Sequence, residues 1–507
     1  MKNSARISRA MALCALPLAT GIAGAQNRQP NIVLILADDL GIGDVSCFNE
    51  EGKIPTPNID RLAAEGVMFT DAHATSALST PSRYSVMTGR YPWRTTLKKG
   101  VLGGYSESML TPGRKTIADE LSDCGYATAC IGKWHLGWHW AKGKDGKVDY
   151  SAPISNGPVD HGFDSYFGIA ASLDMAPFVF VEDRMATEPV TKTLAKGTGV
   201  HLLHGGEAGD GFKPEECLPE LTRRAVSEVL GWKGSKKPHF LYMPLTAPHT
   251  PCLPTPEFKG RTGLGDYGDF VVMMDDVVGQ VVAALEKAGQ MKNTLIVFAS
   301  DNGCAPYADT KSLEAKGHHP SGIYRGYKKD IFEGGHRIPL VVSGGTRLLK
   351  GSRGTKVDDM VTLADLFNTF LEAAGKESRH EDGVAEDSFS IMPYLSRNGK
   401  DTVHQSIVSV SGDGWFSIRR RQYKLIFTPG SGGWGYPSTA EECKGLPLRQ
   451  LYDLMNDPAE TTNLIDEPEL QGLIKEMTEE LKAYILEGND TSPYWEQTAP
   501  IFSSHNV

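Results

Sequence analysis

The sequence has 507 residues, of which 40% are hydrophobic and 22% are charged. This is the composition of a globular protein, and the length allows more than one domain. The formal net charge of −10 argues against nucleic acid as the main partner, because surfaces that bind nucleic acid are basic. An anionic substrate would therefore need a local basic pocket within an acidic surface.

The N-terminus is typical of a Sec-type signal peptide. Three basic residues precede an apolar run over residues 10–22, and small residues at 23–25 suit cleavage. We assign residues 1–25 to this signal and predict an exported protein, periplasmic or secreted. No later stretch approaches the ~20 apolar residues of a transmembrane helix, so we expect no membrane span. Of the eight cysteines only Cys14 lies in the signal, and the spacing of the others leaves one or two disulfides open.

Two apolar runs end in side chains that carry oxygen. The run over residues 31–37 ends in Asp38 and Asp39, and a second run ends in Asp301 and Asn302. Continuous apolar runs are typical of parallel strands buried on both faces, and ligands of such sheets bind at the carboxyl ends of the strands. Four oxygen donors at one edge would suit a hard divalent cation. Either pair alone is more typical of a turn.

Residues 76–90 predict a short helix with a reactive hydroxyl at its start. Pro81 suits the first helical position and Gly89 suits the end of the helix. Ser79 would then lie where free N–H groups and the helix dipole favour a developing anion, and Arg83 could point back toward it. Ordinary helix capping by Ser79 is the alternative for these residues.

Positively charged and titratable side chains follow two other predicted strands. The strand predicted over residues 127–131 leads to Lys133 and His135. A strand over residues 239–244 leads to His249, which prolines flank, as would suit a rigidly held proton donor. A buried, hydrogen-bonded histidine is the alternative for His249.

The segment from Ser79 resembles the signature of the sulfatase family. That signature reads Cys or Ser, any residue, Pro, Ser, Arg, three variable residues, and a hydrophobic-Thr-Gly ending. The segment Gly132-Lys-Trp-His-Leu-Gly137 resembles the second family signature, and Lys328 lies five residues before Glu333-Gly-Gly, as the family pattern requires. Similar segments extend from about residue 30 to residue 490.

The alternating strands and helices predict an α/β fold with a mostly parallel sheet. The resemblance implies an alkaline-phosphatase-like fold: a large, mostly parallel sheet flanked by helices, followed by a smaller C-terminal α+β subdomain with an antiparallel sheet and a closing helix. We place the catalytic domain at residues 26–385 and the subdomain at residues 386–507. One further helix is predicted over residues 360–375.

The resemblance also implies the chemistry. A sulfatase-maturating enzyme would oxidise Ser79 to formylglycine, the nucleophile of the family, and one Ca²⁺ would be bound. The implied ligands are Asp38, Asp39, Asp301 and Asn302, with residue 79 as a further ligand. The implied catalytic residues are Ser79, Arg83, Lys133, His135, His249 and Lys328, with the cations on the sulfate, His249 as the acid, and His135 acting on the second hydroxyl of the formylglycine.

Position 79 is Ser where many family members have Cys. The family accepts both, but Ser depends on an anaerobic-type maturase. The sequence does not distinguish a native Ser79 from a replaced cysteine.

Two other functions fit the same fold. An alkaline-phosphatase-like phosphatase or phosphodiesterase could use Ser itself, but such enzymes hold two Zn²⁺ ions, and here lysines occupy the places where a second metal would bind. An inactive glycan-binding relative is the second alternative, and the complete set of catalytic residue types argues against it.

The predicted substrate is a sulfated carbohydrate with galactose or N-acetylgalactosamine units, from host or algal glycans. Tryptophans near the second signature could stack on a sugar or belong to the core: Trp134, Trp138 and Trp140. The candidate substrate-binding residues are Asp174, His318, His319 and Arg325.

Overall fold

The computed structural model describes residues 28–345, 349, 351–381, 383–396 and 402–486. The predicted signal peptide, residues 1–25, lies outside these ranges. Among the described residues no helix has the length and apolar character needed to cross a bilayer. All seven described cysteines are free thiols, so none of the disulfides left open by the sequence is formed.

Most strands are short, and the longest belong to the centre of one sheet. In chain order they are β1 (Asn31–Asp38), β2 (Val67–Phe69), β3 (Ala72–His73), β4 (Ala127–Lys133), β5 (Ser165–Ile169), β6 (Val181–Glu182), β7 (Met185–Ala186), β8 (Val190–Leu194), β9 (Gly206–Gly209), β10 (His239–Pro248), β11 (Thr294–Ser300), β12 (Leu340–Gly344), β13 (Thr355–Val357), β14 (Val361–Thr362), β15 (Ser406–Val410), β16 (Phe416–Arg420), β17 (Tyr423–Ile426) and β18 (Gln450–Asp453).

The helices vary from one turn to six turns in length. In chain order they are α1 (Pro57–Glu65), α2 (Ser79–Thr88), α3 (Ile117–Asp123), α4 (Pro214–Gly231), α5 (Asp266–Lys287), α6 (Thr310–Ala315), α7 (Glu333–His336), α8 (Leu366–Ala373), α9 (Met392–Leu395) and α10 (Gln471–Leu486).

One large sheet organises the molecule. Within the described ranges it has ten strands in the order β13-β2-β12-β11-β1-β10-β4-β5-β6-β7. The five central strands from β11 to β5 run parallel, whereas β12 is antiparallel to β11. The prediction of a mostly parallel α/β sheet is confirmed.

The central strand β1 is buried on both faces, as its continuous apolar run predicted. Its alternate residues Val33 and Ile35 pack into the core with α1, α4 and α5, while Ile32 and Leu34 pack into the opposite core with α2, α3 and α8. A slip of one residue would exchange the two faces, so packing fixes the register of β1. The register in turn fixes where its last residue, Asp38, lies.

A smaller antiparallel sheet, in the order β15-β16-β17-β18, forms the C-terminal subdomain. Its apolar side chains, including Val408 and Phe416, form a separate core with Met477 and Leu481 of α10. This is the predicted antiparallel sheet with a closing helix. The boundary between residues 385 and 386 stays a prediction.

The helix predicted over residues 360–375 is shorter in the structure. Residues 361 and 362 pair with β3 as strand β14, and α8 begins only at Leu366. Thr362 forms a capping box with Asp365, whose carboxylate accepts the Thr362 N–H at 2.6 Å. Residues 361 and 362 thus pair as a strand with a distant segment, where local periodicity predicted the first turn of a helix.

A buried ion network joins the small sheet to helix α7, which precedes strand β12 of the large sheet. Lys424 of β17 lies with its Nζ 3.0 Å from Glu333 Oε1 and 2.9 Å from Glu460 Oε1. Glu333 is also paired with Arg337 at 3.0 Å. Burial would raise the pKa of Glu333, but Lys424 and the neighbouring histidines outweigh it and hold the pKa well below its ordinary value. Burial raises the pKa of Glu460 from 4.5 to about 7.

This network predicts a pH dependence of stability that arises from Glu460. Because the folded state binds the Glu460 proton more tightly, the contribution is fully present below pH 4.5 and is lost as the pH rises through about 7. Glu460→Gln has no titrating group at this position and should not show this loss. Between pH 5 and pH 8, wild type should therefore lose on the order of 2 kcal/mol more unfolding free energy than Glu460→Gln. Urea unfolding at both pH values measures it. Glu476→Gln is the control, since Glu476 is exposed, and an identical pH difference in wild type and Glu460→Gln would contradict the assignment.

Candidate active site

The predicted metal ligands meet at the carboxyl edge of the central strands. Asp38 ends β1, Asp301 and Asn302 follow the adjacent strand β11, and all are fully buried. The Asp39 N–H donates to Asp301 Oδ1 at 3.1 Å, and Asn302 Nδ2 donates to Asp39 Oδ1 at 2.8 Å. The backbone at Asp39 is left-handed, with φ of +61°, which turns the chain back toward β11. We call Asp38, Asp39, Asp301 and Asn302 the oxygen-ligand cluster.

Two acceptor oxygens of the oxygen-ligand cluster have no hydrogen-bond donor. They are Asp38 Oδ1 and Asn302 Oδ1, and both are inaccessible to solvent. A buried acceptor without a hydrogen bond is costly, and a cation held by these residues would remove that cost. Ligand atoms of Asp38, Asp39 and His249 also lie within 4.8 Å of one another. Since the donors are carboxylate and amide oxygens, the residues present fit Ca²⁺.

Each of the three carboxylates in the oxygen-ligand cluster contacts a cationic side chain. Arg83 donates twice to the same oxygen, and the two lysines each contact one oxygen. The pairs are Lys133 Nζ with Asp38 Oδ2 at 2.7 Å, Lys328 Nζ with Asp39 Oδ2 at 2.7 Å, and Arg83 Nε and Nη2 with Asp301 Oδ2 at 2.9 and 2.7 Å. The structure therefore brings together all three cations that the sequence assigned to the sulfate.

These cations lower the pKa of two of the three carboxylates, whereas burial outweighs the charge of Arg83 at Asp301 and raises its pKa. Burial would raise the pKa of Asp38, but Lys133, His249 and Arg83 outweigh it and hold the pKa below its ordinary value. Burial would also raise the pKa of Asp39. The charge of Lys328 is the largest opposing influence, and the pKa of Asp39 lies below its ordinary value. Ionised carboxylates are the form that a cation requires.

Ser79 lies in this site and does not act as a helix cap. Helix α2 begins at Ser79, two residues before Pro81, and ends at Thr88, where Gly89 caps it with φ of +61°. Leu78 occupies the capping position without a side-chain hydrogen bond, so the alternative of capping by Ser79 is wrong. Ser79 Oγ instead lies 3.3 Å from His135 Nδ1.

His135 presents a neutral nitrogen to Ser79. Its Nε2 lies 2.8 Å from the carbonyl oxygen of Leu102, which can only accept, so Nε2 carries the hydrogen and Nδ1 is left as an acceptor. Burial, aided by the charges of Lys133 and Arg83, lowers the pKa of His135 well below its ordinary value. This arrangement suits a base that takes a proton from residue 79.

His249 directly follows β10 and also lies beside the oxygen-ligand cluster. Its Nδ1 donates to the Thr250 carbonyl at 2.6 Å, which leaves Nε2 directed at the site. Nε2 lies 3.5 Å from Asp39 Oδ2 and 3.4 Å from the hydroxyl of Tyr307. The hydroxyl of Tyr307 also accepts from Lys328 Nζ at 2.7 Å.

Sequence reasoning missed Tyr307. It lies in the loop that follows Asn302, so its position after a ligand-bearing strand was the available signal. Its proximity to Lys328 and His249 depends on long-range packing that no local pattern reveals.

Asp174 is a predicted substrate residue whose surroundings suit contact with a sugar. Asp174 is 3% exposed, and its Oδ1 has no hydrogen-bond partner. Its Oδ2 lies 3.3 Å from Nε2 of His204, whose side chain is 58% exposed. His204 was not identified from the sequence, because the pair forms between two loops.

Two other predicted substrate residues have structural contacts instead. The ring nitrogens of His318 are both occupied, by Asp44 Oδ1 at 2.8 Å and by the Lys53 N–H at 3.2 Å, and the side chain is fully buried. The guanidinium of Arg325 donates to backbone carbonyls and lies 3.8 Å from the centroid of the Phe332 ring. His318 therefore presents no free ring nitrogen to a sugar, whereas the role of Arg325 stays a prediction.

Other candidates for sugar contact also differ in exposure. His319 is exposed, and its role stays a prediction. The tryptophans near the second signature are core residues, since Trp134, Trp138 and Trp140 are at most 3% exposed. Stacking of a sugar on these three rings is therefore excluded.

The chain is similar to known proteins in sequence and in fold. A family model described as Sulfatase matches residues 30–376. N-acetylgalactosamine-6-O-sulfatase of Bacteroides thetaiotaomicron is 33% identical, over 95% of this chain and 100% of that protein. Human arylsulfatase A is 32% identical, over 89% of this chain and 86% of its own length. A solved structure from work on glycosaminoglycan metabolism by Bacteroides thetaiotaomicron superposes with a TM-score of 0.77 at 32% identity, covering 90% of this chain and 99% of that one.

Proposed function

Because this chain belongs to the sulfatase family, and is therefore a sulfuric ester hydrolase, we propose that it removes sulfate from galactose or N-acetylgalactosamine units of sulfated glycans. The observation that carries the proposal is the meeting of the oxygen-ligand cluster with Arg83, Lys133 and Lys328. The relative that is named for N-acetylgalactosamine 6-sulfate supports a carbohydrate substrate. Export through the predicted signal peptide would bring the enzyme to such glycans.

Two groups complete the proposed site. A sulfatase-maturating enzyme would oxidise Ser79 to formylglycine, and Asp38, Asp39, Asp301, Asn302 and residue 79 would bind one Ca²⁺. When bound, these groups supply a hydrated aldehyde as nucleophile and Lewis acidity toward the sulfate oxygens. The unpaired oxygens of Asp38 and Asn302 support this ligand assignment.

Side chains of this chain would neutralise the sulfate and transfer the protons. Arg83, Lys133 and Lys328 would neutralise the nonbridging oxygens of the sulfate, preorganised by their buried contacts. His249, when protonated at Nε2, would donate that proton to the sugar oxygen as the bond to sulfur breaks. Nδ1 of His135, which lies beside residue 79, would then take the proton from the second hydroxyl of that residue, so that sulfate leaves.

Recognition of the sugar would involve Asp174 and His204. The unpartnered Oδ1 of Asp174 is an acceptor that a sugar hydroxyl can satisfy, and the exposed imidazole of His204 can donate beside it. A site built to pair a hydroxyl discriminates strongly against analogues that lack it.

A comparison of ester classes tests the proposal. The matured enzyme is assayed with 4-nitrophenyl sulfate, with 4-nitrophenyl phosphate, and with a panel of position-defined sulfated galactose and N-acetylgalactosamine saccharides. We expect sulfate esters to be hydrolysed and the phosphate ester to be poor. Faster phosphate hydrolysis together with two bound zinc ions would favour the phosphatase alternative, and binding without hydrolysis of any ester would favour the inactive relative.

Removal of the metal should lower both stability and activity. With free Ca²⁺ at 1,000 times its Kd, binding adds about 4 kcal/mol to the free energy of unfolding, and a chelator should abolish that gain. Calorimetry with chelator, and then with Ca²⁺ added back, measures the change in Tm. Asp38→Asn should lose the response to Ca²⁺, whereas the control Asp44→Asn, whose carboxylate contacts His318, should keep it. An unchanged Tm in chelator would contradict the assignment.

A further inference from the structure

The loop between β17 and β18 exposes a tryptophan near the active site. Trp434 is 48% exposed, in contrast to the buried tryptophans of the second signature. The loop belongs to the C-terminal subdomain, and none of its residues is among those implied by the family resemblance. An exposed indole is unusual, because burying its large apolar surface is favourable.

Contacts to the Lys328 loop hold Trp434 in place. The N–H groups of Trp434 and Gly435 donate to Oδ1 of the buried Asp330, at 2.9 and 2.7 Å. The glycines on either side allow this approach: a Cβ at Gly433 would lie 2.6 Å from Asp330 Oδ1, and one at Gly435 would lie 2.4 Å from Asp330 Oδ2. The exposed ring is therefore part of a fixed loop whose anchor lies two residues from Lys328.

Three aromatic rings lead from the proposed acid to the surface. The rings of His249 and Tyr307 have centroids 6.1 Å apart, and those of Tyr307 and Trp434 are 5.7 Å apart. Lys329, which is paired with Asp413 at 2.9 Å, lies with its Nζ 5.1 Å from the Trp434 centroid and further fixes the indole. The leaving sugar would lie at His249. The three rings therefore extend from that sugar away from the sulfate, on the side where a glycan chain would continue.

We propose that Trp434 forms a binding subsite for the sugar ring next to the sulfated one, by stacking its indole on the apolar face of that ring. The inference rests on the proposed function, and it adds that the enzyme binds an oligosaccharide more tightly than a monosaccharide. A rigid indole presents a large contact area at little cost in conformational entropy. Trp434 would then contribute to affinity and to the preference for chain length, and not to the chemical step.

The test compares a short and a long substrate. Trp434→Ala should lower kcat/KM about tenfold for a tetrasaccharide with terminal N-acetylgalactosamine 6-sulfate, mainly through KM, as expected for an aromatic contact residue. The kcat/KM for the N-acetylgalactosamine 6-sulfate monosaccharide should stay within about twofold, since it does not reach the indole. Trp434→Phe should retain most activity, and Tyr436→Ala, at a more exposed position of the same loop, should match wild type. Equal losses on both substrates, or no loss on either, would overturn the inference.

A binding measurement separates this inference from the proposed function. Protein that carries unmodified Ser79 does not turn the ester over, so calorimetry with the same tetrasaccharide gives Kd directly. We expect Trp434→Ala to weaken that Kd about tenfold. If wild type releases no sulfate from any saccharide of the panel, the proposed function fails. Equal affinity of wild type and Trp434→Ala for the tetrasaccharide would overturn the inference on its own.

Discussion

Replacement of Ser79 by alanine is expected to abolish sulfate-ester hydrolysis, with kcat reduced on the order of 10⁵-fold. Alanine has no oxygen to be oxidised, so the nucleophile of the proposed mechanism cannot form. The hydroxyl contacts only His135 among the hydrogen bonds of the structure, and its loss should leave the free energy of unfolding nearly unchanged. Release of sulfate from 4-nitrophenyl sulfate and calorimetric unfolding measure the two quantities.

Two variants control this experiment. Ser85→Ala removes another buried hydroxyl of α2, which donates to the Arg90 carbonyl at 2.8 Å, and should keep its activity at some cost in stability. Ser79→Cys should be active when a maturase that accepts cysteine is present. Mass spectrometry of the peptide reports the conversion of residue 79, and full activity of Ser79→Ala would refute its role as nucleophile.

Replacement of Arg83 by methionine is expected to cost both stability and catalysis. The guanidinium is fully buried against Asp301 and lies 3.4 Å from Asp38 Oδ1. Its removal leaves the buried carboxylate of Asp301 without its ion-pair partner, which typically destabilises a protein by about 3–5 kcal/mol. The loss of one charge around the sulfate should also lower kcat by about 10²–10³-fold. Urea unfolding and steady-state kinetics on the folded fraction measure these effects.

Arg94 offers a matched control for Arg83. It is also buried and contacts a single carboxylate through two nitrogens, at 2.9 and 2.8 Å from Asp387, but it lies outside the oxygen-ligand cluster. Arg94→Met should lose comparable stability and keep the kcat of wild type. If both variants lose activity equally, or if neither does, the role of Arg83 at the sulfate is wrong.

The sequence predicted the parts of the site that strand topology determines. Asp38 and Asp301 follow apolar runs, and adjacent parallel strands bring such ends together, so their meeting could be expected. Lys133 and His249 follow the next strands in the same sheet and were predicted for the same reason.

The remaining parts depend on contacts between distant segments. His318 is occupied by Asp44, which lies 274 residues away, and nothing near His318 indicates that partner. Tyr307, His204 and Trp434 reach the site through loops whose course is set by packing. Helix α2 also begins earlier than the sequence predicted. Pro81 suggested the first helical position, but tertiary contacts make Ser79 part of the helix.

The ion network around Lys424 has a consequence for how far the chain can be divided. A polypeptide that stopped at residue 385 would still contain Glu333 in its interior, but it would lack Lys424, which lies on the small sheet. The same cut would remove the loop that rests on Asp330. Since the C-terminal residues supply the positive charge that pairs with a carboxylate buried in the residues before them, we expect the two parts of the chain to unfold together.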